Sequence, residues 1–303
     1  MNHLVALKDL NKEEMIELLE LAEKFIDHEG KILKDPIFPD KKIVNIFCEP
    51  STRTKTSFEI AAKNLGCEVI NFDYNFSSII KGETLLDTII SFEEMGIDLC
   101  VLRHTDSVIH NLIEDTKKMI FISGGEGAIS HPTQGLLDLM TIKSKKGIEN
   151  NNILVAGHLD HSRVFKSFLE GITNFKNNIT VCGHKDLCKE YLDSSLVSFE
   201  PDLEKAVRDK DVIMGLRIQK ERINEDITIN IDEYSKNYQI NSELLKLANP
   251  DCILMHPGPV NKGIELSQNA YDSENSVIND QVKNGVAVRM AIIYLLAGSV
   301  NRT

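Results

Sequence analysis

No CxxC pair occurs in this chain, and its six cysteines are scattered singly between positions 48 and 252. Four of them lie inside apolar runs. They read as reduced core residues, not as zinc ligands or a disulfide framework. An excess of positive charge is also missing. The net charge of −12 argues against nucleic acid as a partner. No apolar run approaches the length of a bilayer crossing, so no membrane association is expected. The start, Met1-Asn2-His3-Leu4, has neither the basic nor the apolar stretch of a secretory signal. With reduced cysteines, that points to a cytoplasmic protein. Low-complexity segments and internal repeats are absent too. The glycine-rich stretch Gly124-Gly125-Glu126-Gly127 is not followed by Gly-Lys-Ser/Thr, so it is no P-loop, and it is not GxGxxG either. No metal-ligand cluster is visible. Neither a cofactor nor a metal is expected.

What is present is alternation. The chain has 303 residues, 42% of them hydrophobic, enough for two domains with a core each. Short apolar runs read as buried strands: Ile43–Cys48, Glu68–Phe72, Ile97–Leu102, Asn152–Gly157, Ile179–Cys182, Asp211–Leu216 and Cys252–Met255. Helical patterns lie between several of them. Asn11 caps an amphipathic region within 7–26, Thr84–Glu94 looks helical, and Phe58–Gly66 reads as a helix stopped by glycine. Val286–Leu296 reads as an apolar closing helix. The strand-helix-strand rhythm restarts after position 150. The expected fold class is therefore α/β, with two doubly wound parallel-sheet domains joined by helices.

The chemistry gathers where strands end. After the first strand comes Pro50-Ser51-Thr52-Arg53-Thr54-Lys55-Thr56-Ser57. A hydroxyl-rich turn at a helix start offers N–H groups and a positive dipole end to an anion, and Arg53 adds a planar fork for phosphate oxygens. Plain capping by a hydroxyl is the alternative. Arg103 follows the third strand, at the position where open α/β sheets bind ligands, or it is a rim residue. His131 precedes Pro132, which suits a first helical turn. The dipole there disfavours imidazolium, so a neutral His131 can donate to a carbonyl oxygen, or serve structure alone. Arg163 and Arg217 end two strands of the second half. Two guanidiniums suit a dicarboxylate, unless nearby acids pair with them. The turn His256-Pro257-Gly258-Pro259 is proline-locked, as needed to present fixed carbonyls to a neutral amide, or as a plain turn would be. Lys81 lies on a loop rich in Ser and Gly and reads, by itself, as a solvated cation.

Together these motifs resemble the transcarbamoylases over nearly the whole chain. The loop 51–58 resembles their carbamoyl phosphate loop, and His131-Pro132-Thr133-Gln134 their histidine motif. Ala128-Ile129-Ser130, just before it, departs from the more polar spelling of the family. Leu216-Arg217-Ile218-Gln219 and the His-Pro-Gly-Pro turn resemble the aspartate-specific branch. The His-Cys-Leu-Pro turn and Ser-Met-Gly loop of the ornithine branch are absent. The resemblance implies a carbamoyl phosphate-binding domain over 1–132 plus 286–303 and an aspartate-binding domain over 133–285. It implies that Ser51, Thr52, Arg53, Thr54, Arg103, His131, Gln134 and the backbone of Gly258 and Pro259 bind carbamoyl phosphate. Of these, Arg53, Thr54, Arg103 and His131 are implied to be catalytic. It gives Lys81, Arg163, Arg217 and Gln219 to L-aspartate. Ser77 and Lys81 would reach in from a neighbouring subunit, so a homotrimer with shared sites is expected. The activity implied is carbamoyl transfer to L-aspartate in pyrimidine synthesis. Regulatory chains are left open.

Overall fold

The computed structural model describes residues 1–74, 77, 81–218 and 229–299. The chain divides into two compact units. The first comprises Met1–Leu137, Lys166–Gly171 and Val282–Thr303, the second Asp138–Phe165 and Ile172–Gln281.

In the first unit, α1 (Lys12–Glu23) starts with a reciprocal cap. Glu14 N–H donates to Asn11 Oδ1 at 2.9 Å, and Asn11 N–H to Glu14 Oε2 at 3.0 Å. Then come β1 (Lys42–Phe47), α2 (Thr52–Asn64), β2 (Glu68–Phe72), α3 (Leu85–Glu94), β3 (Leu99–His104), α4 (Ile109–Asp115), β4 (Ile120–Glu126) and the start of α5 (Pro132–Lys146). Four strands pair in the order β2-β1-β3-β4, all parallel. A parallel sheet is covered on both faces, so its inner strands are mostly apolar; the buried Asn45 of β1 donates to Asn71 Oδ1 at 3.1 Å. Val44, Ile46, Cys100, Leu102 and Phe121 are buried in one such layer. Each large side chain buried this way contributes about 1.5–3 kcal/mol. From β1 the chain moves outward to β2, then returns to place β3 on the other side of β1. The sheet therefore reverses direction between β1 and β3, and the crevice at their carboxyl ends is where such sheets take ligands.

The second unit repeats the plan with β5 (Asn152–Gly157), the ends of α6 (Arg163–Ile172, whose residues Lys166–Gly171 fall in the first unit), β6 (Asn178–Cys182), β7 (Ser198–Phe199), α7 (Leu203–Ala206), β8 (Val212–Leu216), α8 (Ile231–Tyr238), α9 (Ser242–Leu245), β9 (Ile253–Met255) and α10 (Gln268–Tyr271). The order is β7-β6-β5-β8-β9, again all parallel. The reversal here falls between β5 and β8. At that point the strands approach closely. Gly157 has φ +139°, and a Cβ there would overlap the carbonyl oxygen of Leu216. Leu154, Ala156, Ile213 and Leu254 form part of the core on this sheet.

The last helix, α11 (Ile278–Ser299), has 22 residues and is apolar enough to cross a membrane by length and composition alone. That run is longer than the sequence reading allowed. The most apolar window is 67% buried inside the protein, as in the core helix of a globular fold.

Candidate functional site

Both reversal points carry the residues singled out above. In the first unit the end of β1 pairs with the end of β3, Phe47 opposite Arg103. Cys48 N–H donates to the Arg103 carbonyl at 2.9 Å, which fixes the entry to the 49–54 loop beside Arg103. The loop residues are not a turn followed by a helix. Thr52, Arg53 and Thr54 are themselves the first turn of α2, and Ser51 is its N-cap residue. Ser51 makes no side-chain cap bond. A capping serine would fold its hydroxyl onto the first-turn amides; this one leaves its hydroxyl and the Thr52 and Thr54 amides for another acceptor. Arg53 is exposed, while Thr54 is buried.

Arg103 is held by a residue that sequence reasoning missed. Its Nε donates to Glu49 Oε2 at 3.0 Å, and one terminal nitrogen lies 3.5 Å from the Gly124 carbonyl oxygen. The pair is largely shielded, with side chains 13% and 19% exposed. Nothing in the sequence separates Glu49 from the chain's other acids until Arg103 lies against it. His131 is 4% exposed. Its carbonyl accepts from the N–H groups of Gln134 and Gly135, and its own N–H donates to Ser167 Oγ at 2.8 Å. Pro132 opens α5 as its fixed φ predicts. Gln134 is also buried. Ser77 donates its hydroxyl to the Tyr74 carbonyl at 2.8 Å, and Lys81 is exposed on the first unit.

In the second unit Gly157 pairs with Leu216, so the loops after both strands leave side by side. Arg163 is the first residue of α6 and is 8% exposed. Arg217 directly follows β8. The loop leading to Arg163 is pinned by Asp160, whose carboxylate accepts the N–H groups of Lys189 and Glu190 at 2.8 and 3.1 Å. Arg163 and Arg217 thus follow the two strands flanking the reversal. Gln219 lies outside the described residues. Gly258 and Pro259 stand on the turn after β9, with Gly258 at φ +68°.

Comparison with known proteins places this geometry. Residues 2–144 match the carbamoyl-P binding domain of aspartate/ornithine carbamoyltransferases, and residues 149–296 match their Asp/Orn binding domain. The chain belongs to the aspartate/ornithine carbamoyltransferase family. The aspartate carbamoyltransferase catalytic subunit of Dehalococcoides mccartyi (strain CBDB1) is 42% identical over 98% of this chain and 92% of its own length. That of Syntrophus aciditrophicus (strain SB) is 42% identical over 98% and 97%. Among solved structures, aspartate transcarbamoylase from Trypanosoma cruzi in complex with aspartate and phosphate is similar at a TM-score of 0.83. Its identity is 27%, over 97% of this chain and 95% of that one. Ornithine carbamoyltransferase from Pyrococcus furiosus gives a TM-score of 0.81 at 30% identity, over 98% and 97%. The two branches of this carbamoyltransferase family thus share the fold almost equally. Fold alone does not choose between aspartate and ornithine.

Proposed function

We infer that the two arginine-bearing reversal points are the two substrate sites of a carbamoyl transfer. The chain is a carbamoyltransferase that moves the carbamoyl group of carbamoyl phosphate onto the amine of L-aspartate, giving N-carbamoyl-L-aspartate and phosphate. The observation that carries the choice of acceptor is the pair Arg163 and Arg217 at the ends of α6's loop and β8. Two fixed forks match the two carboxylates of aspartate. They do not match ornithine, which carries one carboxylate and an extra cation. Carbamoyl phosphate binding belongs to 1–132 with 286–303, aspartate binding to 133–285. In metabolism the product feeds pyrimidine synthesis.

In the reaction the aspartate nitrogen bonds to the carbonyl carbon, and a tetrahedral oxyanion forms. The bond from that carbon to the phosphate oxygen then breaks, and phosphate leaves carrying the proton shed by nitrogen. No side chain need become covalently attached. Positioning of two anionic reactants and preorganised donors supply the rate. Ser51, Thr52, Arg53 and Thr54 hold the phosphate at the N-terminus of α2, and Arg53 stabilises it as it departs. Thr54, Arg103 and His131 face the carbonyl oxygen; Gln134 and the carbonyls of Gly258 and Pro259 take the carbamoyl amide. Gln219 joins the two arginines on aspartate. Ser77 and Lys81 complete the site of a neighbouring chain in a homotrimer, Lys81 reaching the aspartate. The support is that Lys81 is exposed and that the same unit exposes large apolar side chains, Ile70 at 41% and Ile90 at 39%.

The deciding experiment offers purified protein carbamoyl phosphate with either L-aspartate or L-ornithine and measures the carbamoylated product. Product with aspartate alone is expected. Product with ornithine would overturn the assignment of Arg163 and Arg217 while leaving the phosphate loop standing.

A further inference from the structure

Three buried side chains of the second unit take hold of a single turn by its backbone. The turn follows β9 and carries Gly258 and Pro259. Gln281 Oε1 accepts the N–H of His256 at 2.8 Å, while Gln281 Nε2 donates to Asp138 Oδ1 at 2.7 Å. His256 Nδ1 accepts the N–H of Gly258 at 2.8 Å. His256 Nε2 lies 3.3 Å from Glu265 Oε1. Glu265 Oε1 also accepts the N–H of Asn261 at 2.6 Å. His256, Glu265 and Gln281 are 2%, 1% and 2% exposed.

An ordinary connecting turn keeps its amides in water. This one has the N–H groups of 256, 258 and 261 gripped by side chains that are costly to bury without partners. The directions of the bonds matter. An imidazole Nδ1 that accepts from Gly258 bears no proton, so the neutral ring carries its proton on Nε2, facing Glu265. The bond to Gly258 N–H holds the peptide plane entering Gly258, and the bond to Asn261 N–H holds the plane entering Asn261. The carbonyls of Gly258 and Pro259 lie between those two held planes, and Pro259 removes a further rotation.

We propose that Gln281, His256 and Glu265 are positioning residues that aim the Gly258 and Pro259 carbonyls, and so set selectivity for a phosphate bearing an NH₂ group over one without it. This rests on reading that turn as the acceptor of the carbamoyl amide. A neutral NH₂ donor gains discrimination only from acceptors already in place, because mobile carbonyls would bond to water as readily as to the ligand.

The test compares two ligands in the full-length protein. One readout is the KM for carbamoyl phosphate at saturating aspartate; the other is the inhibition constant of inorganic phosphate, which has no NH₂. The variants are Glu265→Ala, Gln281→Met and the conservative Glu265→Gln. Glu265→Ala and Gln281→Met should raise the KM for carbamoyl phosphate on the order of tenfold, the scale of one or two lost hydrogen bonds. Inhibition by phosphate should stay within about twofold of the parent. Glu265→Gln keeps an oxygen for Asn261 N–H and should recover most of the preference. If Glu265→Ala does not fold, Gln281→Met alone carries the comparison, since it preserves shape and removes only the two amide bonds. An unchanged ratio of the two constants in Gln281→Met and Glu265→Ala would overturn the proposal. So would an equal loss of both ligands, which marks a general folding role. A parent protein with no preference for carbamoyl phosphate over phosphate would instead sink the reading of the turn itself.

Discussion

Arg53 and Glu49 sit four residues apart with opposite relations to an anion. Glu49 neutralises part of Arg103 through the 3.0 Å bond to Nε, whereas Arg53 is exposed at the N-terminus of α2. In the proposed reaction, Arg53 and the helix start act on the departing phosphate. Arg53→Ala should lower kcat on the order of 10²-fold, the scale for losing one preorganised charge donor. Steady-state turnover at saturating substrates checks this, and an unaltered kcat would remove Arg53 from the leaving-group role. The thiols make a second residue-scale case. Burial first, then Glu49, pushes the Cys48 thiol up to about 12; burial first, then Asp98, pushes Cys67 up to about 11. Cys182 and Cys252 are raised to about 12, chiefly by burial. An unfolded thiol titrates near ~8.5. The native state thus keeps protons that the unfolded chain releases. The resulting stability is complete below about pH 8.5 and is lost as pH rises toward about 11, the folded value of Cys67. Each such thiol should steepen the alkaline loss by up to about 1.4 kcal/mol per pH unit. Urea melts at pH 8 and pH 10 should show a shallower loss in Cys67→Ala than in the parent. An identical pH slope would contradict the burial argument.

At the scale of elements, the reversal between β5 and β8 depends on Gly157. Any Cβ at φ +139° is strained, and here it would also meet the Leu216 carbonyl. Gly157→Ala should cost at least about 1–3 kcal/mol, the range for a residue held in a rarely populated backbone region. It should raise the KM for aspartate as well, because the loops bearing Arg163 and Arg217 leave from this pair of strands. Thermal unfolding and aspartate titration read the two effects; a parent-like melting temperature would show that the strands part without cost. The inner strands were legible in the sequence because a parallel sheet buried on both faces needs near-continuous apolar runs, as in Val212–Leu216 and, apart from Asn45, Ile43–Phe47. The start of α2 was not. The sequence suggested a helix from Phe58, yet the helix begins at Thr52, because threonine and arginine carry no period that separates a loop from a first turn. Nor was β7 legible, since two residues at a sheet edge have no alternation to read. The candidate site residues drew notice for a different reason. Arginines at strand ends stand out in an acidic chain, whereas Glu49 was one acid among many and acquired meaning only once Arg103 lay against it.

At the scale of the whole molecule, the exposed Lys81 and the exposed apolar side chains of the first unit bear on assembly. Lys81 is given to the site of a neighbouring chain, and Arg53 to a chain's own site. A ring of like chains then makes each site a joint product of two subunits. Two variants separate these contributions. Arg53→Ala chains donate a competent Lys81 but own a dead site; Lys81→Ala chains own a competent phosphate loop but donate nothing. Each variant alone should be nearly inactive. Unfolded together in equal amounts and refolded, they should recover activity, because some sites pair a Lys81→Ala chain with an Arg53→Ala neighbour. Random mixing of two chain types gives that arrangement at about one quarter of the sites in a cyclic assembly. Recovered turnover near that fraction of the parent, with sedimentation at the trimer mass, is the expected outcome. If the mixture stays as inactive as its components while still sedimenting as a trimer, Lys81 serves the subunit that bears it, and the sharing of sites falls while the chemistry of each reversal point stands.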